Sequence, residues 1–198
     1  MNRRCSSPSL VEGPLFRLLE RRKGSAEGAC EAMAAVAELL CAPFSTSSDE
    51  RLAGLALCAD GEVPEVVSRQ LTWKDFEGFC SAILRAKGYR VRENIYLRRP
   101  RAQVDVFGVS DRMSLAVDCK HWARSPGRGA LGALVGAQKE RARRLHESLD
   151  RIGGIAAVIL VMVDGGERFV EGGAIVPIFA LGDFLDNVEA CRDFLDLV

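Results

Sequence analysis

Apolar positions follow two different rhythms along the chain, and the rhythm changes near residue 70. Ahead of that point every patterned stretch has the three-to-four-residue spacing of a helix that buries one side. "GPLFRLLERRKG" (13–24) places Pro14 in a first turn, carries a Leu/Phe face and stops on Gly24. "SAEGACEAMAAVAELL" (25–40) is rich in Ala and Glu, both strong helix formers. "SSDERLAGLALCADG" (47–61) opens with a capping signature and closes on Gly61, and "VPEVVSRQL" (63–71) is a further short helix. No alternating strand pattern occurs here. Residues 1–70 thus predict a small all-helical region, either a helix-turn-helix-like DNA module or a helical cap or dimerisation element.

Residues 71–198 change to an α/β pattern, which makes them a second domain. "TWKDFEGFCSAILRAKGY" (72–89) reads as a helix capped by Thr72 and ended by Gly88, with Trp73, Phe76, Phe79, Cys80 and Ile83 on one face. "YRVRENIYL" (89–97) alternates as a strand; "AQVDVFGVS" (102–110) and "MSLAVDCK" (113–120) are two more. "GALGALVGAQKERARRLHESLD" (129–150) is a long amphipathic helix. "IAAVILVMV" (155–163) is a buried strand, "GAIVPIFA" (173–180) a fifth strand, and "LGDFLDNVEACRDFLDLV" (181–198) a closing helix. The expected fold is a mixed central sheet flanked by helices.

Composition narrows this picture. Lys plus Arg and Asp plus Glu each number 27 in 198 residues, so the net charge is zero. That excludes a uniformly basic coat but not local basic patches. Seven cysteines are scattered without C-x-x-C or paired Cys/His spacing, which points to reduced, mostly buried thiols rather than zinc or disulfides. No apolar run is long enough for a bilayer, and no apolar segment follows the basic start, so no membrane association and a cytoplasmic location are expected.

The chemistry concentrates in "VDVFGVSDRMSLAVDCKHW" (104–122), where charges interrupt two strands of core character. Side chains alternate across a strand, so Asp118 and Lys120 share a face, away from Val117 and Cys119. Asp105, on the neighbouring strand, needs only the right register to stand beside Asp118. Two opposed carboxylates make a poor core but a good seat for Mg²⁺, a hard cation that keeps waters and takes substrate phosphate. A lysine one side chain away can orient or deprotonate water. An ordinary ion pair on a half-exposed strand is the competing explanation of an isolated D-x-K.

"DFEGFCSAILRAKGYRVREN", "VDV", "AVDCKHW" and "AQKER" together resemble the PD-(D/E)XK nuclease superfamily, most nearly the Mrr-type restriction endonucleases and the related archaeal Holliday-junction resolvases. The likeness spans about residues 72–180. It implies a restriction-endonuclease-like fold in which Asp105 and Asp118 are the metal-binding acids, Lys120 the catalytic lysine and Glu77 an auxiliary acid from the first helix. It places Gln138 where some members carry a polar helix residue near the site. Mg²⁺, replaceable by Mn²⁺, hydrolysis leaving 5′-phosphate and 3′-hydroxyl ends, and a homodimer are further implications. Two positions depart from the family pattern: Val104 stands where Pro is frequent, and Asp118 where Glu is commoner.

Basic residues gather around this region. Arg90, Arg92, Arg98, Arg99 and Arg101 lie in 85–101, Arg124 and Arg128 follow Lys120, and Arg141 belongs to "KERARR". Such patches give salt-sensitive, sequence-independent phosphate contacts. The function expected is therefore a Mg²⁺-dependent DNA endonuclease acting on duplex or branched DNA. A catalytically inactive nuclease-fold module that binds DNA or a partner is the alternative.

Overall fold

Gly24, Gly61 and Gly88 close helices as the sequence predicts, each in the left-handed region with φ of 75°, 96° and 84°. At Gly88 the end is a Schellman motif: Tyr89 N–H donates to Leu84 O (3.1 Å) and Gly88 N–H to Arg85 O (3.0 Å). The computed structural model describes residues 14–39, 50–59, 61–62, 64–149 and 153–198. The capping signature expected at 47–49 and the helix end expected at Asp150 lie outside these residues.

Contacts divide the chain into two compact units, Met1–Ala82 and Ile83–Val198. The division falls inside a helix. The first unit holds α1 (Pro14–Lys23), α2 (Ala26–Leu39), α3 (Glu50–Ala59), α4 (Pro64–Ser68) and most of α5 (Trp73–Ala86). Leu15, Phe16, Leu19, Met33 and Leu57 are buried where α1, α2 and α3 meet. Thr72 caps α5 as expected, its Oγ1 accepting Asp75 N–H at 3.3 Å. Phe76, Phe79 and Cys80 are buried, but Trp73, expected on the same face, is 65% exposed. As the first residue of α5 it has no preceding turn to cover it.

The second unit is built on β1 (Arg90–Leu97), β2 (Ala102–Val109), β3 (Ser114–Lys120), β4 (Ile155–Val161), β5 (Phe169–Val170) and β6 (Gly173–Pro177), in the order β1-β2-β3-β4-β6-β5. β1, β2 and β3 are antiparallel; β3, β4 and β6 are parallel. The crossover from β3 to β4 is α6 (Arg128–Glu147). Its Leu131 and Val135 pack on Ile159, Val161 and Ile175, and its Ala142 and Leu145 on Phe107, Ala116 and Ile155. All seven residues of β4 are buried, which explains why that strand reads as a continuous apolar run.

Two segments differ from expectation. The predicted fifth strand stops at Pro177, and a 3₁₀ turn (Ile178–Ala180) leads into α7 (Leu181–Asp186). A two-residue strand, β5, precedes it; Glu171 (φ 47°) and Gly172 (φ 75°) form the tight hairpin turn to β6. The closing helix is also interrupted. After α7 only a 3₁₀ turn (Arg192–Phe194) remains, and Val198 exchanges both backbone hydrogen bonds with Ile155 (2.8 and 3.1 Å). Those bonds, together with buried Leu195, hold the end of the chain extended against the start of β4.

No disulfide forms among the described cysteines. Cys30 and Cys80 are buried as expected, whereas Cys58, Cys119 and Cys191 are only partly so; burial pushes the Cys58 thiol up to about 12. Among the described residues no helix is long and apolar enough to cross a membrane.

Candidate active site

The β2–β3 ladder pairs Gly108 with Leu115, Phe107 with Ala116 and Val106 with Val117. One more step in this register sets Asp105 opposite Asp118, and there the ladder ends. In place of a backbone bond, the Asp105 carboxylate reaches across and accepts Cys119 N–H at 3.0 Å. The neighbouring β1–β2 ladder skips the same point: Asn94, opposite Asp105, adopts φ 53°. Gln103 Nε2 joins the two, donating to Asn94 Oδ1 at 2.8 Å and to Asp105 Oδ1 at 3.4 Å. Strict alternation would put Val104 and Phe107 on opposite faces, yet both belong to one core cluster under α6. The irregularity thus frees Asp105 from the ladder. Asp118 and Lys120 meanwhile stay on a strand paired through its whole length with β4.

Asp118 is 4% exposed. Lys120 Nζ lies 2.8 Å from its Oδ2 and donates a hydrogen bond to Oδ1 at 3.0 Å, and Arg141 Nη1 of α6 stands 3.3 Å from Oδ1. Oδ2 itself accepts no hydrogen bond; the lysine's geometry favours Oδ1. Burial holds the Asp105 carboxyl above the usual carboxylate range, the Cys119 N–H opposes this, and the negative charge of Asp118 adds to the rise. Lys120 Nζ also stands 5.8 Å from the centre of the Trp122 ring, a cation–π contact that fixes its position.

These donors fit a small divalent cation. Two facing carboxylates offer hard oxygen ligands of the kind a small dication takes, and burial with the nearby Asp118 charge makes an ionised Asp105 costly without a cation. No cluster of three or more His, Cys, Asp or Glu side chains suited to a metal occurs among the described residues. Asp105→Asn keeps an acceptor for Cys119 N–H but removes one of two crowded charges. It is expected to stabilise the protein in EDTA by about 0.5–2 kcal/mol, read as a higher melting midpoint. An unchanged or lower midpoint would show that the Asp105 charge carries no such cost.

The remaining sequence candidates separate by position. Arg98, Arg99 and Arg101 occupy the β1–β2 turn and Arg124 the segment after β3, at the same end of the sheet as the acids. Arg128 is engaged by Glu167. Arg90 and Arg92 do not join this group. Arg90 pairs with Val109, four residues from Asp105, about 13 Å along the strand. With Arg112 and Arg192 both line an open cavity of about 770 Å³ at the sheet's other end. Gln138, which the resemblance places near the site, is fully buried; its Oε1 accepts a 2.8 Å hydrogen bond from Arg141 Nη1. Glu77 is 9% exposed on α5, in the first unit. The contact between Arg141 and Asp118 was not legible in the sequence, because α6 and β3 reveal their relative rotation only once packed.

Antiparallel strands leading to an isolated acid, then an acid-x-Lys strand at the centre of a mixed sheet backed by a long helix, define a restriction-endonuclease-like α/β fold. The family comparison makes this narrower: residues 68–146 match the family described as restriction endonuclease, the Mrr catalytic type. That stretch runs from the end of α4 into α6 and holds Asp105, Asp118 and Lys120. No curated protein and no solved structure matches the chain.

Proposed function

We propose that the protein is a DNA endonuclease that uses Mg²⁺, or Mn²⁺ in its place, to hydrolyse phosphodiester bonds. The observation carrying this reading is the opposition of Asp105 and Asp118 at the point where β2 and β3 part, with Lys120 against Asp118. Asp105 and Asp118 would hold the ion, which when bound supplies neutralisation of phosphate charge and activation of water. Lys120 Nζ, held by Asp118 and the Trp122 ring, donates hydrogen bonds to orient the attacking water or a phosphate oxygen. Arg98, Arg99, Arg101 and Arg124 would meet neighbouring phosphates, giving affinity that falls with added salt. Glu77 serves in this reading as an auxiliary acid, and cutting both strands of a duplex calls for two copies of the chain.

The test is cleavage of supercoiled plasmid and of a four-way junction with Mg²⁺ or Mn²⁺ against EDTA, wild type beside Lys120→Ala. Metal-dependent cutting that falls by about 10²–10⁴-fold in the variant is the expected result, and the preferred DNA form identifies the substrate. Equal cutting by the variant would remove Lys120 from the reaction. DNA retained at low salt with no cutting under either metal would make the fold a binding module.

A further inference from the structure

The candidate site contains its own counter-ions. Asp105 and Asp118 face two cations, Lys120 and Arg141, so the assembled group offers no net negative charge to attract a dication. The two cations differ in freedom. Lys120 lies two residues from Asp118 on a strand fully paired with β4, over the Trp122 ring. Arg141 comes from α6 on a long, partly exposed side chain, and its 3.3 Å approach to Asp118 is the looser contact. Buried Gln138, one turn earlier on α6, steadies it by accepting its Nη1 hydrogen bond. A guanidinium in this position has a better partner than one carboxylate oxygen, because a phosphodiester offers two anionic oxygens in the bidentate geometry that arginine matches.

We propose that Arg141 is a positioning residue that occupies Asp118 until a DNA phosphate draws it away, so that metal and DNA bind cooperatively. This rests on the metal-site reading above and adds to it an order of events: Asp118 Oδ1 is released to the ion as substrate arrives. Linkage makes the effect reciprocal, since whatever DNA does for metal affinity the metal does for DNA affinity. Arg143, two residues further on, supplies the control. It has the same charge on the same helix but pairs with Glu140 and Glu147 on the outer side.

Mn²⁺ binding is measured by calorimetry without DNA and with a short duplex shown by gel to be intact at the end of the titration. Wild type is expected to bind Mn²⁺ about 10-fold more tightly with the duplex than without. Arg141→Gln should bind Mn²⁺ about 10-fold more tightly than wild type in the absence of DNA and lose most of the duplex effect. Arg143→Gln should behave as wild type. Arg141→Lys, which keeps a charge without the fork, should fall between the two and guards against a packing defect in the glutamine variant. Equal affinities for wild type and Arg141→Gln without DNA, or an undiminished duplex effect in that variant, would overturn the proposal. Asp118→Ala separates the two levels. If it binds Mn²⁺ as wild type does, the metal-site reading itself fails; if it does not bind while Arg141→Gln matches wild type, only the coupling fails.

Discussion

Replacing Asp118 with alanine is expected to reduce metal-dependent DNA cleavage by at least about 10³-fold, the rate equivalent of the several kcal/mol of charge stabilisation that a correctly held ion supplies. Asp118 is the residue on which the site converges: Lys120 and Arg141 both rest on it, and it stands across from Asp105. Its removal leaves two cations without their carboxylate. Both partners are about a quarter exposed and can regain water, so the accompanying loss of stability should be small, about 1–2 kcal/mol, well below the 3–5 kcal/mol of a fully buried pair. Plasmid cleavage and thermal melting of the same preparation check the two effects together. A variant that cuts at a tenth of the wild-type rate or faster would place the metal ligand elsewhere. A collapse of the melting midpoint would make Asp118 structural first.

The largest expected effect on stability lies two residues from Asp105. Phe107 is fully buried under α6 against Ala116, Ala142, Leu145 and Ile155, and it pairs in register with Ala116. Phe107→Ala removes a ring packed on Ala116, Ala142, Leu145 and Ile155, at an expected cost of about 3–5 kcal/mol. For a unit of this size the melting midpoint should drop by about 10–20 °C, measurable by circular dichroism. Because Phe107 and Ala116 set the register that opposes Asp105 to Asp118, Mn²⁺ binding should weaken in the surviving folded protein as well. A loss below about 1 kcal/mol would mean that the cavity collapses or fills.

Asp105 and Asp118 show how far the sequence reaches into the site. Alternation alone sets Asp118 and Lys120 on one face, and the apolar match of "VDVF" with "LAVD" allows the register that the β2–β3 ladder adopts. Nothing local announces that the ladder ends there, because the interruption depends on Asn94 and Cys119 from two other strands. Gln138 and Arg90 mark the limit from the other side. A glutamine in a charged helical stretch looks solvent-facing, and an arginine on a basic strand looks close to the acids. Burial of α6 on the sheet and the antiparallel direction of β1 decide otherwise.

What the sequence by itself determined is what short-range physics controls: the helical region before the α/β one, the glycine helix stops, the buried β4 and the acid-x-Lys face. These follow from side-chain periodicity and backbone freedom within a few residues. Tertiary structure alone decided the contacts between distant segments. It broke the acid-rich terminal helix so that Val198 could bond to Ile155, and it sent Arg90 and Arg92 to the far end of the sheet. It also laid Arg141 on Asp118. Each of these outcomes is a competition between a local preference and a partner remote in the chain, and only packing sets which partner is near enough to win.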